Sequence, residues 1–418
     1  MKIGVFTDSF RPYTSGVVRS IELFSREFTS RGHEVYIFGP DYPLLQPPKE
    51  KGVFRFISVP APTMPEFSLP IPISVQLGST IKKLKLDIIH SHSPFLLGSM
   101  GARAARRFRL PLVFTFHTLY DQYVHYFPFV GNASKHLVQN ISRDFCNRCN
   151  TVIAPSQLVV NYLDRIGVKS PVVIIPTGID LDEFKNVNSD WLHENYNIPE
   201  DKKVLLFVGR LCKEKNIAFL LKAFQIVEKN FPQVFLVLVG KGPQEFYLRR
   251  LIDKMGLKDK ILFTGVLPRN KIVHCYASAD LFVFPSVTET QGLVIGEAKA
   301  VGLPVVTIRA YGPAEMVVNG EDGLLTDPSV NSFAESTLQL LHDRELYKSM
   351  SSKALENVRN VSSVNCADRM LNVYQELIDS GLSAPRRRFN FKNSFFFDQN
   401  EKTSNIFYRH FDRYRMLH

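Results

Sequence analysis

Cysteine, tryptophan and long apolar runs are scarce in this 418-residue sequence, which contains five cysteines and one tryptophan. No cysteine pair is matched by a second pair at the spacing of a zinc site, which argues against a zinc module or a disulfide scaffold and favours a reducing compartment. No apolar run approaches the roughly 20 residues of a transmembrane helix. Asp8 interrupts the first apolar stretch, so no signal peptide is expected. Together these absences predict a cytosolic protein.

The rest of the composition is ordinary for a globular protein, with 45% hydrophobic and 22% charged residues. At about 150 residues per domain, the length predicts two or three domains, each large enough for its own core.

Positive charge is concentrated at the two ends of the chain. Residues 1–185 hold 21 Lys and Arg against 14 Asp and Glu, residues 186–383 hold 22 against 23, and residues 384–418 hold 8 against 3. This distribution favours an anionic partner facing one end of the molecule. A membrane is favoured over nucleic acid because no nucleic-acid-binding motif occurs among the basic residues, although the charge also serves solubility.

Two segments have the composition of a membrane interface. In Ile73–Leu86, apolar residues recur at helical spacing and three lysines crowd one end. The same pattern also fits a helix whose apolar stripe lies in the core. In residues 384–418, an arginine triplet precedes many Phe and Tyr residues, which can lie at a membrane surface or pack onto the parent domain.

Short runs rich in Val, Ile and Phe alternate with helical patterns, which predicts βα units and parallel sheets. The first series of runs consists of Lys2–Thr7, Glu34–Gly39, Asp87–His90, Leu112–Thr115, Thr151–Ala154 and Val172–Pro176. The second consists of Lys203–Gly209, Phe235–Gly240, Ile261–Thr264, Leu281–Pro285 and Val305–Ile308. The polar, aperiodic segment Asp180–Asp201 between them is predicted to be an interdomain linker.

This pattern predicts an α/β protein with two tandem Rossmann-like doubly wound domains that face each other across a cleft. The predicted boundaries are 1–185 and 186–383, followed by a basic aromatic tail over 384–418. Ligands of such sheets bind beyond the carboxyl ends of the strands. Both domains should therefore direct loops into one crevice.

Three residues are candidates for binding phosphate groups. Gly16 begins a predicted helix after the loop Ser9–Ser15, where a phosphate could approach free backbone N–H groups, although an ordinary turn glycine also fits. Arg210 and Lys215 follow a strand in GRLCKEKN. At that position the two cations could bind a diphosphate.

Two carboxylates are candidates for binding hydroxyl groups. Glu289 and Glu297 form a Glu-x7-Glu pair, with Glu289 in a loop and Glu297 on the following helix. Carboxylate oxygens accept hydrogen bonds from sugar or ribose hydroxyls. Alternatively, one of the two glutamates caps a helix and the other lies at the surface. The flanking glycines make this alternative less favourable.

Histidines and cysteines supply the remaining candidates. His117 follows a predicted strand and could donate to a substrate hydroxyl, or it could be a satisfied buried histidine. His90 and His92 have only a superficial resemblance to metal ligands, because no third ligand lies nearby in sequence. Cys146 and Cys149 are i, i+3 neighbours on a helical pattern, where packing is the favoured role.

Taken jointly, several of these segments resemble the family-4 retaining glycosyltransferases of the GT-B fold over residues 1–380. The segments that carry the resemblance are TDSFRPYTSGVV, HSPF, FTFHT, IAPS, IIPTGID, VGRLCKEKN and the Glu-x7-Glu block. Within that family, HSPFLLG, HTLYDQYVHYF and TETQGL are most similar to the bacterial diacylglycerol glucosyltransferases. The family commonly has Phe where this chain has Gln291, a change shared with its lipid-glycosylating branch.

The resemblance implies roles for the candidate residues. Gly16 would contact the donor diphosphate through its backbone, and Arg210 and Lys215 would stabilise the leaving nucleotide. Glu289 would bind donor-sugar hydroxyls, Glu297 would bind the ribose, and His117 would contact the donor sugar near the reacting carbon. It further implies that the last helix returns to the first domain. No metal is expected, because many family members transfer without one and no paired acidic motif is present.

The expected activity is that of a retaining hexosyltransferase that moves glucose from UDP-glucose to a membrane lipid such as 1,2-diacylglycerol. The expected location is the cytoplasmic face of an anionic membrane. Alternatives are a GDP-mannose-dependent phosphatidylinositol mannosyltransferase and a transferase with a soluble sugar acceptor. Other classes are a sugar-nucleotide epimerase and a non-catalytic nucleotide-sugar binder. A dinucleotide-dependent oxidoreductase is disfavoured, because the first βα turn lacks G-x-G-x-x-G.

Overall fold

The computed structural model describes residues 1–45, 49–61, 64–122 and 132–385. The arginine triplet and the aromatic residues of the predicted tail lie outside the described residues, as does the second half of HTLYDQYVHYF. Within the described part, the strands form two large parallel sheets and one small antiparallel hairpin. The predicted α/β class with two doubly wound sheets is therefore confirmed.

The first sheet comes from the amino-terminal half of the chain, and all its described strands run parallel. The strands of this half are β1 (Lys2–Phe6), β2 (Glu34–Pro40), β3 (Val53–Phe56), β4 (Ser58–Ala61), β5 (Met64–Pro70), β6 (Ile88–Ser91), β7 (Leu112–Thr115), β8 (Thr151–Ala154) and β9 (Val172–Ile174). The order across the sheet is β3-β2-β1-β6-β7-β8-β9, and β4 pairs with β5 in the separate hairpin.

The second sheet repeats the same plan in the carboxyl-terminal half. Its described strands are β10 (Lys203–Val208), β11 (Val234–Val239), β12 (Ile261–Gly265), β13 (Leu281–Phe284), β14 (Val305–Ile308) and β15 (Gly323–Thr326). They lie in the order β12-β11-β10-β13-β14-β15. The winding direction reverses between β1 and β6 in one sheet and between β10 and β13 in the other. Ligand crevices form beyond the strand ends at such reversals.

Helices cover both sheets. In the first half they are α1 (Gly16–Ser30), α2 (Leu77–Leu84), α3 (Leu96–Phe108), α4 (Asn132–Cys146) and α5 (Gln157–Arg165). In the second half they are α6 (Trp191–Tyr196), α7 (Ile217–Asn230), α8 (Glu245–Met255), α9 (Arg269–Ala277), α10 (Leu293–Ala300), α11 (Tyr311–Glu315), α12 (Val330–His342), α13 (Arg344–Asn357) and α14 (Ser363–Asp379).

The chain crosses between the two sheets twice, and the two crossings lie side by side. The Ser363 N–H donates to the Ile179 carbonyl at 2.8 Å. A Cβ on Gly178 would lie 2.5 Å from Ser363 Cα, so the close approach requires glycine at this position. After the second crossing, α14 packs on the first sheet, where the Tyr374 hydroxyl lies 2.5 Å from His90 Nδ1.

The segment predicted to be a linker is instead part of the second core. Within Asp180–Asp201, the side chains of Phe184, Leu192 and Ile198 are buried among the residues of that core. The prediction was wrong because most apolar residues of this segment lie on one short 3-10 turn and one six-residue helix. Elements this short produce no sustained periodic pattern, although their apolar side chains are sufficient to anchor them on the core.

Four short strands and one helix boundary also differ from the prediction. The strands β3 and β15 lie at sheet edges, and the β4–β5 hairpin contains several prolines, so none of them has the apolar run of a central strand. Helix α2 begins at Leu77, so the preceding Ile73 lies outside the helix and is 76% exposed.

A buried ion pair anchors α10, the helix that carries Glu297. Lys299 Nζ lies 2.5 Å from Asp322 Oδ2 and donates to the Met316 carbonyl at 3.0 Å. Asp322 Oδ1 also accepts the Val318 N–H at 2.9 Å. A carboxylate this deeply buried is tolerated because every charge around it has a partner.

We expect Asp322→Ala to lower the free energy of unfolding by about 3–5 kcal/mol, because the change leaves the buried Lys299 ammonium uncompensated. Denaturant unfolding followed by circular dichroism measures the effect. The exposed Asp327 provides the control, and its alanine variant should unfold within about 0.5 kcal/mol of the parent. Equal losses in both variants would contradict this explanation.

Candidate functional site

The candidate residues gather where the carboxyl ends of the central strands of both sheets meet. Arg210 follows β10 and the loop bearing Glu289 follows β13, which places them on the two sides of the reversal in the second sheet. His117 follows β7 of the first sheet. Because both sheets are parallel, each of these loops emerges at the ligand-binding edge.

Glycines allow the loop after β10 to lie close to its neighbours. A Cβ on Gly240 would lie 2.1 Å from the Gly209 carbonyl oxygen, and one on Gly242 would lie 2.3 Å from that of Leu211. Only glycine fits at both positions, so the backbone on both sides of Arg210 is held in place. Arg210 itself is exposed and forms no ion pair within the described residues.

Lys215 and Glu289 form an ion pair in the crevice, and both side chains are largely buried. The Lys215 ammonium also lies 5.5 Å from the centre of the Phe284 ring. Burial lowers the pKa of Lys215 to about 8, an effect that the neighbouring Cys212 and Glu214 oppose. The ammonium is therefore charged at neutral pH and can exchange Glu289 for another anion.

His117 is held at its ring and at its backbone. Its Nε2 lies 2.8 Å from His92 Nδ1, and its carbonyl oxygen accepts the Thr290 hydroxyl at 2.8 Å. Thr290 adjoins Glu289, so this hydrogen bond brings the imidazole and the carboxylate loop together. Burial lowers the pKa of His117 well below its usual value, so the ring is neutral at pH 7.

The segment Glu289–Gln291, which we call the carboxylate loop, is joined to the first sheet by several more hydrogen bonds. The Ser156 hydroxyl donates to the Thr290 carbonyl at 2.6 Å. Gln291 accepts from the Thr177 N–H and donates to the Thr177 carbonyl, both at 2.9 Å. The loop therefore belongs in sequence to the second half but is positioned largely by the first.

Glu297 lies on α10, as predicted, and its carboxylate is already partly satisfied. Arg269 Nη1 donates to one oxygen at 2.6 Å, and the Tyr276 hydroxyl donates to the other at 2.8 Å. A carboxylate offers about four acceptor sites, so positions remain for ligand hydroxyls. Arg269 also pairs with Glu183 at 2.8 Å, which in turn pairs with Arg19 of α1 at 2.6 Å.

Gly16 is the exposed first residue of α1, whose amino terminus is capped by Ser15, and the Ser15 hydroxyl accepts the Val18 N–H at 3.2 Å. A Cβ at Gly16 would meet no atom within 4 Å. The residue is therefore open to an approaching anion, although the fold itself imposes no requirement for glycine here.

Asp8 is a buried residue to which the sequence analysis assigned no role. Its carboxylate accepts the N–H groups of Leu96 and Leu97 at 3.1 and 2.7 Å at the start of α3, and also the Ser93 hydroxyl. Burial raises its pKa, and these hydrogen bonds oppose that shift. Its position at the end of β1, where the winding reverses, was the one signal for such a role.

The other residues with unassigned chemistry are accounted for by packing. His90 lies in the core, with its ring nitrogens 2.5 Å from the Tyr374 hydroxyl and 2.7 Å from the Thr115 hydroxyl. Burial raises the pKa of Cys146 and of Cys149, which keeps both thiols protonated. Among the described residues, no group of three His, Cys, Asp or Glu side chains could hold a metal ion.

Two family models match the chain, one in each half. The model described as Glycosyltransferase Family 4 covers residues 14–183, and the one described as Glycosyl transferases group 1 covers residues 188–357. The residues that line the crevice therefore come from both matched regions.

The chain is similar to several characterised proteins. It is 29% identical to an alpha-monoglucosyldiacylglycerol synthase of Acholeplasma laidlawii, over 91% of this chain and 98% of that protein. It is 33% identical to one from Streptococcus pneumoniae, over 73% and 70% of the two chains. It is also 29% identical to a GDP-mannose-dependent alpha-mannosyltransferase of Corynebacterium glutamicum, over 90% and 89%.

Solved structures share the fold. The sucrose-phosphate synthase of Thermosynechococcus elongatus superimposes with a TM-score of 0.74 at 21% identity, over 91% of this chain and 99% of that one. The Anabaena protein HepE in complex with UDP-glucose superimposes with a TM-score of 0.71 at 23% identity, over 90% and 100%.

We expect Lys215 to titrate near pH 8, so that the crevice loses one positive charge as the pH rises through that value. NMR spectra of protein labelled at its lysine side chains measure this titration, and the Lys215→Arg variant identifies the signal by its disappearance. A midpoint near the ordinary lysine value of about 10.4 would show instead that the contact with Glu289 outweighs burial.

Proposed function

The chain belongs to the family-4 glycosyltransferases of the GT-B fold, and from this premise we propose that it transfers glucose from UDP-glucose to a membrane lipid. The proposed acceptor is 1,2-diacylglycerol, at the cytoplasmic face of the membrane, and the product retains the anomeric configuration of the donor. Relatives named as alpha-monoglucosyldiacylglycerol synthases support glucose as the transferred sugar and diacylglycerol as the acceptor.

The observation that carries the proposal is the convergence of three kinds of group on one crevice. Lys215 contacts Glu289, and the adjacent Thr290 is bonded to the backbone of His117. One short loop and its immediate contacts thereby hold a cation for the diphosphate, a carboxylate for sugar hydroxyls and a neutral imidazole.

The proposed chemistry concentrates on the departing diphosphate. Negative charge builds on this group as the bond to the sugar breaks, while positive charge builds on the sugar ring. Arg210, Lys215 and the amino terminus of α1 at Gly16 would stabilise the negative charge. When the donor binds, Lys215 would exchange its contact with Glu289 for the diphosphate, which would free Glu289 to accept sugar hydroxyls.

No protein nucleophile is assigned in this proposal. The leaving phosphate would accept the proton of the acceptor hydroxyl as that hydroxyl attacks on the same face, which accounts for retention. Arg210 and Lys215 would supply the positive charge that a metal ion supplies in other transferases. The proposal therefore includes no metal, and Glu297 would bind the ribose of the nucleotide.

A donor screen tests the proposal. Purified protein is incubated with anionic vesicles containing diacylglycerol and with UDP-glucose, UDP-galactose or GDP-mannose, with and without EDTA. We expect glucosyldiacylglycerol from UDP-glucose alone, at a rate unchanged by EDTA, with the α linkage visible by NMR. A product from GDP-mannose alone, as the name of the Corynebacterium relative suggests for that protein, or no glycolipid at all, would refute the proposed donor or acceptor.

Within the same screen, Arg210→Ala should lower kcat/KM by about 10²-fold or more, because it removes charge stabilisation from the transition state. Lys213 provides a matched control, since it is an exposed cation three residues along the same loop. Lys213→Ala should retain the parental rate. Similar losses in the two variants would indicate a general effect of loop charge.

A surface of the first half fits the proposed membrane contact. Large aliphatic side chains are exposed on the hairpin and on the segment leading into α2, namely Ile57, Val59, Ile71, Ile73 and Val75. Basic residues flank them at the end of α2, namely Lys82, Lys83 and Lys85. Aliphatic side chains at the centre and lysines at the rim match the interfacial region of an anionic bilayer. No helix in the described ranges is long and apolar enough to span a bilayer.

A cavity of about 270 Å³ opens beside this surface, between α2 and α3. Apolar side chains line its inside, including Ile81, Met100 and Phe108, and the cationic Arg103 and Arg107 also line it. A lining of apolar side chains with two arginines is suited to an anionic amphiphile such as a phospholipid, which supports the choice of a membrane over a soluble anion.

We expect the double variant Ile73→Ser, Val75→Ser to bind anionic vesicles at least about tenfold more weakly, because two exposed aliphatic side chains no longer enter the interface. Vesicle sedimentation at several salt concentrations measures the affinity, and parental binding should weaken as salt rises. Leu355→Ser, at an exposed aliphatic position on α13, is the control and should bind normally. Unchanged binding of the double variant would exclude this surface.

A further inference from the structure

His92 and His117 form a pair in the crevice, and the proposed chemistry assigns no role to this pair. His92 Nδ1 and His117 Nε2 are 2.8 Å apart, and the two rings are nearly parallel, with centres 5.1 Å apart. Both rings are neutral at pH 7, so a contact this short requires one of the two nitrogens to carry hydrogen and the other to accept it. The two rings therefore share a single hydrogen.

His92 is the more rigidly held member of the pair. It is buried, and its backbone N–H donates to the Phe6 carbonyl at 2.8 Å at the end of β1. The residue that follows it, Ser93, donates its hydroxyl to the buried Asp8. The His90 ring, whose centre lies 4.2 Å from that of His92, is itself hydrogen-bonded in the core.

His117, by contrast, is partly exposed to the crevice and lies just after the end of its strand. Two hydrogen bonds to other described residues hold it: its carbonyl oxygen accepts the Thr290 hydroxyl, and its ring is hydrogen-bonded to His92. The first contact sets where the backbone lies but leaves the ring free to turn about its side-chain bonds. The orientation of the ring therefore depends on His92.

We propose that His92 is a positioning residue that fixes the ring orientation and the tautomer of His117 for glycosyl transfer. The hydrogen shared across the 2.8 Å contact determines whether the opposite nitrogen of His117, Nδ1, is a donor or an acceptor. Without His92, the ring of His117 would populate both tautomers and several orientations. This inference rests on the proposed function, in which His117 would contact the donor sugar near the reacting carbon.

A double-mutant cycle tests the inference with the donor screen as the assay. We expect His92→Ala to lower kcat by about 10- to 100-fold, because small misplacements of a reacting group are costly, with little change in KM for the donor. His92→Asn should retain kcat within about threefold, since its amide occupies the position of Nδ1 and can donate or accept. In a His117→Ala background, His92→Ala should have no further effect.

A purely structural role for His92 predicts different results. Loss of packing would lower activity equally in the parental and His117→Ala backgrounds, and asparagine would not restore it. Either result would overturn the inference. A parental rate for His117→Ala would overturn it as well, because His117 would then have no role through which His92 could act.

Nitrogen NMR of histidine-labelled protein provides a readout that needs no turnover, so it separates failure of the inference from failure of the proposed function. In the parent, the ring nitrogens of His117 should show one fixed tautomer. In His92→Ala they should show an averaged pattern, and in His92→Asn a single tautomer again. If His117 shows the same tautomer in the parent and in His92→Ala, His92 does not fix it, whatever lipid or sugar the enzyme uses.

Discussion

The crevice depends on the hydrogen bonds that join the carboxylate loop of the second sheet to the first sheet. Thr290 donates to the His117 carbonyl and accepts from Ser156, while Gln291 forms a reciprocal pair with the backbone of Thr177. These hydrogen bonds fix how the two halves of the chain face each other at the carboxylate loop. The loop follows a strand of the second sheet and is held by the first, so it couples the Glu289 carboxylate to His117 through Thr290.

Charge in the crevice is largely balanced by ion pairs between its own residues, which explains how so many ionised groups can be buried together. Lys215 pairs with Glu289, and Arg269 bridges Glu297 and Glu183. Buried charges without partners would cost several kcal/mol each. In the proposed function, a diphosphate that replaces Glu289 on Lys215 would preserve the balance only if Glu289 gained new donors, which sugar hydroxyls would provide. Binding of the phosphate and binding of the sugar are therefore expected to support each other.

The sequence predicted the parts of this site that depend on local pattern. Arg210, Lys215 and Glu289 lie at the ends of apolar strands, and parallel sheets bring such ends together, so their shared location followed from strand order. The pairing of His92 with His117, and that of Glu297 with Arg269, could not be predicted, because these residues are 25 and 28 positions apart with no motif joining them. The core segment around Leu192 was missed because its helical elements are only four and six residues long, which is too short for a sustained periodic signal.

The proposed membrane surface and the crevice are connected by one aromatic contact. Phe67 of the hairpin packs edge-on against Tyr13, with ring centres 5.5 Å apart, and Tyr13 lies in the loop that precedes Gly16 and α1. In the proposed function, a lipid bound beside this hairpin would therefore lie next to the loop that leads to Gly16. The acceptor would then bind to the first half of the chain, and the donor mainly to the second. The crossings at Gly178 and Ser363 keep the two halves in register.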